Sequence, residues 1–338
     1  MKLAVLIPAF NEEAVIKRAI FSAYRSGASP DDVYVVDDGS TDGTAEIAGL
    51  LNAQVLSVSN GGKASALRHG LIHFGLANRY EWLMILDADS ILDDGYIQAV
   101  QCAAERHPRA ALICGNQRSQ RGNWLTAYRA VQYAIWCGIY REAQHVTGTV
   151  TVAPGFASTY RMSTFETLDF DAGTLVEDMD MTIQLQRRGE EIVYAPDAIV
   201  HTQDPRRIRD YIGQTMRWYR GTWQVVRLRR LGRKNQRIDW EVGLLLGENL
   251  LLGFIVMLMP LWLWLWPVTI MLVVAADQTC AFIFTVLTGV RERRWDVIRA
   301  FPFFIIPRML DYWMFAWAYL SERRQPETKW YSVAREES

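Results

Sequence analysis

The sequence predicts an α/β fold built on a mainly parallel sheet, followed by a block of apolar helices suited to a membrane. Short β-rich runs alternate with helical patterns over the first two thirds of the chain. Clusters of Asp, Asn and Gly sit just behind the carboxyl ends of those runs, and from Val242 the texture turns apolar. The 338 residues allow two structural units. Half are apolar, 22% are charged and the formal net charge is −1, a balance that excludes a disordered chain and argues against nucleic acid as a partner. A mean hydropathy of −0.01 averages two unlike halves. All five His precede residue 202, whereas eight of the thirteen Trp lie from Trp240 onward.

The first strand is expected over residues 4–7. Its apolar run is too short for a signal-peptide core, and Pro8, Asn11, Glu12 and Glu13 follow at once. A helix is expected over 12–26. A second strand, 33–36, ends in Asp37-Asp38-Gly39-Ser40-Thr41-Asp42-Gly43. Runs at 55–58 and 82–86 continue the pattern, the last ending in Asp87-Ala88-Asp89. In open α/β sheets, ligands bind at this carboxyl edge. Cys102, Cys114, Cys137 and Cys280 show neither Cys-x-x-Cys nor finger-like His spacing. A disulfide framework or structural zinc is therefore not expected, and residues 1 to about 235 suit a reducing, cytosolic compartment.

Residues 242–276 carry one charge, Glu248, and are too long for a single crossing of ~20 residues. Two spans are expected, near 243–265 and 268–290, with Pro260, Trp262, Trp264, Trp266 and Pro267 at a tight bend. Arg227, Arg229, Arg230, Arg233, Lys234 and Arg237 precede the hairpin and Arg291, Arg293 and Arg294 follow it, so both ends are expected in the cytosol. The third apolar stretch, 298–320, is broken by Pro302, Pro307, Arg308 and Asp311 and is expected to span, to re-enter or to lie at the interface, the last two being preferred. Asp277 is costly in lipid and is expected to face protein or a polar path.

Several short strings carry chemistry, and each has a purely structural alternative. At Asp37-Asp38-Gly39-Ser40 a carboxylate can accept a hydrogen bond from an imide N–H, or the string can be a turn into a helix N-cap. Asp87-Ala88-Asp89 suits a hard divalent cation, although about one Asp-x-Asp is expected by chance and Asp169-Phe170-Asp171 and Asp178-Met179-Asp180 occur as well. Its place behind an apolar strand singles it out. Asn60-Gly61-Gly62-Lys63 offers backbone N–H groups and an ammonium to a phosphate, without the spacing of a Walker A loop. Glu177-Asp178 opens a helical pattern, where acids favour the positive terminus or serve as a general base. Gln214, Arg217 and Trp218 share one helical face, presenting an amide, a guanidinium and an indole.

Taken in this order, Pro8-Ala9-Phe10-Asn11-Glu12, Asp37-Asp38-Gly39-Ser40, Gly62-Lys63, Asp87-Ala88-Asp89, Glu177-Asp178 and Gln214-x-x-Arg217-Trp218 resemble the family 2 glycosyltransferases. The resemblance is to the membrane-embedded branch that contains cellulose, chitin, hyaluronan and poly-N-acetylglucosamine synthases, and it covers residues 1–225. It implies a GT-A-type nucleotide-sugar-binding domain over 1–237 and a membrane region over 238–338. By the same resemblance, Asp37 and Asp38 hold the uracil of a UDP-sugar, Ala9, Asn11 and Glu12 line the nucleotide pocket, and Lys63 meets the diphosphate. Asp89, with Asp87, binds Mg²⁺ or Mn²⁺. Asp178, beside Glu177, is the catalytic base, Gln214 and Arg217 meet the pyrophosphate or a gating loop, and Trp218 floors the acceptor site.

The implied activity is inverting, metal-dependent transfer from a UDP-sugar to a growing β-linked polysaccharide at the inner membrane. The implied partners are the donor, a polysaccharide or lipid-linked acceptor, membrane lipid, and a second copy or accessory membrane subunit. Two departures stand out: Val176 replaces a Thr common before the Glu-Asp pair, and no apolar span precedes the catalytic segment. Two other functions remain open at this point: single-sugar transfer to a membrane lipid, and a non-catalytic nucleotide sensor.

Overall fold

The computed structural model describes residues 1–170, 173–232 and 236–324, so Asp171, Arg233 and Lys234 lie outside the described residues. The first part runs β1 (Leu3–Ala9), α1 (Ile16–Arg25), β2 (Val33–Asp37), α2 (Thr44–Leu50), β3 (Gln54–Ser57), α3 (Lys63–His73), β4 (Trp82–Leu86), β5 (Ser90–Leu92) and α4 (Tyr96–Arg106). It continues through β6 (Ala110–Ser119), α5 (Trp124–Ile135), α6 (Glu142–Thr147), β7 (Ala157–Arg161), α7 (Met162–Phe165), α8 (Glu177–Arg188), β8 (Glu191–Thr202) and α9 (Ile208–Leu228). The apolar part holds α10 (Arg237–Met257), α11 (Met259–Leu265), α12 (Pro267–Arg291), α13 (Trp295–Ala300) and α14 (Ile305–Arg324).

One sheet forms, in the order β3-β2-β1-β4-β7-β6-β8-β5. Neighbours from β3 to β4 are parallel, as are β6 and β8, while β7 runs against both neighbours and β5 against β8. Alternation along the strands fills both faces. Val5, Ile7, Val35 and Met84 pack with Ile16, Ile20 and Val100 on one side, and Leu6, Tyr34, Val36 and Ile85 with Leu67, Tyr160 and Leu185 on the other. The chain leaves β1 toward β2 and returns to β4 on the other side of β1. The carboxyl ends at that reversal bring Asn11, Asp37-Asp38 and Asp87–Asp89 to one crevice.

Two expected boundaries move. The first helix starts at Ile16, not residue 12, because Asn11 takes a left-handed φ of 54° and residues 12–15 close a turn in which the Glu12 carbonyl accepts from the Val15 and Ile16 N–H groups. The first apolar helix is Arg237–Met257 rather than 243–265. Asp239 extends it toward its start by accepting from the Gln236 N–H at 3.1 Å and the Gly232 N–H at 2.9 Å, and Pro260 near the first position of α11 begins a new helix. The expected tight bend is therefore a short helix carrying Trp262 and Trp264.

α10 and α12 are long and apolar enough to cross a membrane, and only 11% of the most apolar window of each is buried, unlike a core helix. Residues 298–320 divide into α13, a 3-10 turn at Phe301–Phe303 and α14. α14 lies along α9, held by two buried carboxylates. Asp311 accepts from Tyr128 at 2.8 Å, Tyr211 at 2.5 Å and Gln132 at 2.8 Å. Glu322 accepts from Arg220 at 3.2 Å, Gln224 at 3.2 Å and Arg227 at 2.9 Å. Asp277 on α12 faces protein, paired with Arg308 of α14, which offsets the cost of a lone charge in an apolar helix.

Candidate active site

The loops behind β1, β2 and β3 are laced together by their own polar groups. Gly39 has a φ of 77°, and a Cβ there would stand 2.9 Å from the Asn60 nitrogen, so only glycine fits this approach. The Asp37 carboxylate accepts from the Ser40 N–H at 3.0 Å. Both oxygens of buried Asp38 accept backbone N–H groups, from Gly61 at 2.8 Å and Gly62 at 2.7 Å. These N–H groups, expected to face a phosphate, are thus turned toward Asp38. Asp38 fixes the glycine loop that opens α3 and sets the direction of Lys63. Asn11 ties the β1 loop to the β2 loop: its side chain accepts from the Thr41 N–H at 2.8 Å and its own N–H donates to Ser40 Oγ at 2.9 Å. Glu12 donates its N–H to Thr44 Oγ1 at 2.9 Å.

Lys63 is the hinge between the donor edge and the far side of the crevice. Its Nζ lies 2.7 Å from Asp87 Oδ1 and 3.1 Å from Glu177 Oε1. Burial works against the ammonium, but Asp87, Glu177 and Asp178 outweigh it and hold its pKa above the usual lysine value. Burial likewise acts against ionised Glu177, yet Lys63, its own backbone N–H and the charge of Arg217 bring it below the usual carboxylate range. Asp178 goes the other way. Burial, with Glu177 adding to it and Lys63 opposing, pushes it up to about 6, near the range a general base needs at neutral pH. Asp178 Oδ2 accepts from the Gly155 N–H at 3.1 Å, and Oδ1 from the Met179 N–H at 2.7 Å. A Cβ on Gly155 would lie 2.9 Å from Lys63 Nζ and 3.6 Å from Asp178 Cβ, so a bare backbone is what lets these charges converge.

α9 brings Arg217 beside this cluster. Arg217 Nη1 donates to the Leu175 carbonyl at 3.2 Å, beside Glu177. Gln214 and Trp218 instead converge on Arg129 of α5, which the sequence reading missed. Its Nη2 donates to Thr215 Oγ1 at 2.8 Å and Gln214 Oε1 at 3.4 Å. The guanidinium lies 4.7 Å from the Trp218 ring centroid and 4.4 Å from that of Tyr211. The only available signal was an arginine inside the otherwise apolar run Leu125-Thr-Ala-Tyr-Arg129-Ala-Val131. Replacing Arg129 by Met removes a desolvated cation–π contact of ~2 kcal/mol from the indole. Because Thr215 and Gln214 also lose their donor, the variant is expected to melt at a lower temperature than wild type, read by thermal unfolding of the purified chain.

Asp87 and Asp89 flank the crevice at the end of β4. Two carboxylates are the donor set that a hard divalent cation completes with substrate phosphates. Among the described residues no group of three or more His, Cys, Asp or Glu side chains is placed to hold an ion unaided. As hard oxygen donors, Asp87 and Asp89 suit part of the ligand set of such a cation.

Residues 2–221 match the family model described as Glycosyltransferase like family 2. The poly-beta-1,6-N-acetyl-D-glucosamine synthases of Staphylococcus epidermidis and of Staphylococcus aureus strain COL are each 25% identical over 231 residues, covering 66% of this chain and 55% of the relative. The chain thus spans about half the length of the curated relatives it matches. Among solved structures, the mannosyltransferase PcManGT from Pyrobaculum calidifontis in complex with GDP-Man and Mn²⁺ superposes with a TM-score of 0.64 at 19% identity, over 91% of this chain and 87% of that one. That likeness establishes a GT-A fold with helices after it.

Proposed function

From the premise that the chain belongs to the glycosyltransferase-like family 2, we propose that it is a membrane-bound, metal-dependent inverting transferase that extends a β-linked polysaccharide from a UDP-sugar. The observation that carries this reading is the cluster of Lys63, Asp87, Glu177 and Asp178, in which one ammonium joins the donor edge to a carboxylate of raised pKa. Residues 1–237 form the cytosolic catalytic unit and 238–338 the membrane region.

Asp38 and Asp37 shape the pocket for the uracil, lined by Ala9, Asn11 and Glu12. Asp89 and Asp87 would hold Mg²⁺ or Mn²⁺. When bound, the cation neutralises charge on the diphosphate leaving group. Arg217 and Lys63 add fixed positive charge at the same edge, Gln214 is held in register by Arg129, and Trp218 offers its indole to the acceptor sugar. Asp178 takes the proton of the acceptor hydroxyl as that oxygen attacks C1 from the face opposite the leaving group, so an α-linked donor yields a β-linked product. A second copy or an accessory membrane subunit would complete a translocation path beside α10 and α12.

Single-sugar transfer to a membrane lipid is the second reading, favoured by the packing of α9, which carries Gln214, Arg217 and Trp218, along α14 of the apolar part through Glu322. Size analysis of radiolabelled product from the purified protein, incubated with UDP-sugar and Mn²⁺, separates the two. A ladder of lengths is expected; one sugar per acceptor, recovered wholly in organic solvent, replaces the first reading with the second.

A further inference from the structure

At the foot of α12 three turns come together. Arg121 Nη2 donates to the Arg293 carbonyl at 3.3 Å. A Cβ on Gly122 would lie 3.1 Å from Arg206 Nε, and Asn123 Nδ2 donates to the Arg206 carbonyl at 2.6 Å. Residues 118–124, 203–210 and 291–299 thus form one surface, and they hold nine arginines, no lysine and four carboxylates. The carboxylates of this surface already have partners. Glu292 faces Arg118 at 3.8 Å, Asp296 pairs with Arg294 at 2.7 Å, and Asp204 is buried, accepting from the Tyr133 hydroxyl at 2.6 Å. Arg121, Arg209, Arg291, Arg293 and Arg299 are exposed. Trp295, 63% exposed, stands among them one helical turn past the end of an apolar helix.

A net positive surface continuous with the polar end of a membrane helix, with an exposed indole in it, has the composition of a headgroup contact. Guanidinium groups bind phosphate through paired N–H donors, which an all-arginine surface supplies. We propose that this surface binds the phosphate headgroups of anionic phospholipids and so seats the catalytic unit on the bilayer. None of these arginines belongs to the crevice of Lys63 and Asp178. The inference rests on the membrane reading of α10 and α12, and the test separates the two.

The full chain is reconstituted in phosphatidylcholine vesicles, incorporation is checked by flotation, and spin-labelled phosphatidylglycerol, phosphatidylcholine or polyprenyl phosphate is added to report protein-bound lipid. The wild type is expected to retain phosphatidylglycerol about threefold over phosphatidylcholine, with the preference lost in high salt. The variant R121Q/R209Q/R293Q is expected to incorporate equally, keep donor turnover in detergent, and show no preference. Failure to float overturns the membrane reading. Incorporation with equal retention of both lipids, an unchanged preference in the variant, or a preference for polyprenyl phosphate without one for phosphatidylglycerol overturns the headgroup surface.

Discussion

Asp178→Asn is expected to lower turnover by about 10²–10⁴-fold while leaving the fold intact. The amide keeps an oxygen for the Gly155 or Met179 N–H and removes a charge that burial already disfavours, so the Tm should hold or rise slightly. The same residue fixes the pH profile. A base must be unprotonated, and Asp178 takes up its proton as the pH falls through about 6. Wild-type kcat is therefore expected to be flat above that value and to fall about tenfold per pH unit below it. Residual turnover in the variant should lose that acidic limb. A full rate with Asn at 178, or an unchanged acidic limb in the variant, places the base elsewhere.

Lys63→Met is expected to have the largest effect on stability. The ammonium is the cation on which Asp87 and Glu177 converge at 2.7 and 3.1 Å, and its side chain is only 17% exposed. Removing it leaves a partly exposed Asp87 and a largely buried Glu177 without their cation, which costs about 1–3 kcal/mol. The sign of the pH dependence follows. Without Lys63 the carboxylates' folded pKa values lie above their unfolded ones, so the fold is favoured while they are protonated and loses stability as the pH rises through those values. The variant should thus unfold at a much lower temperature than wild type at pH 8 and approach it at pH 5, with Lys63→Arg in between. Equal melting of wild type and Lys63→Met at pH 8 contradicts the role given to this residue.

How much of this the sequence disclosed depends on how local each feature is. The strands, the acidic strings at their ends and the change of texture at Val242 are contiguous in sequence, so period and composition expose them. The approach of Lys63 to Glu177 is not local. It requires the antiparallel insertion of β7 beside β4, which brings Gly155 and the start of α8 over the α3 terminus. The sequence marks Asp38 as a ligand for a base, and its oxygens also close the Gly61-Gly62 loop, a contact that no spacing rule encodes. Arg129 was hidden because a buried arginine in an apolar helix has meaning only through its partners, Tyr211, Thr215 and Trp218, which the fold supplies. The first apolar helix was misplaced by several residues because capping by Asp239 and the restart at Pro260 outweighed hydropathy.

The central claim is that this cluster transfers sugar from a UDP-activated donor. Its most direct test is nucleotide release by the purified chain, with Mn²⁺, from UDP-glucose, UDP-N-acetylglucosamine, UDP-glucuronate and GDP-mannose, alongside Asp89→Ala. UDP release from at least one UDP-sugar, dependent on Mn²⁺ and absent in Asp89→Ala, is the predicted result. Release from GDP-mannose alone, or release that Asp89→Ala leaves unchanged, contradicts it.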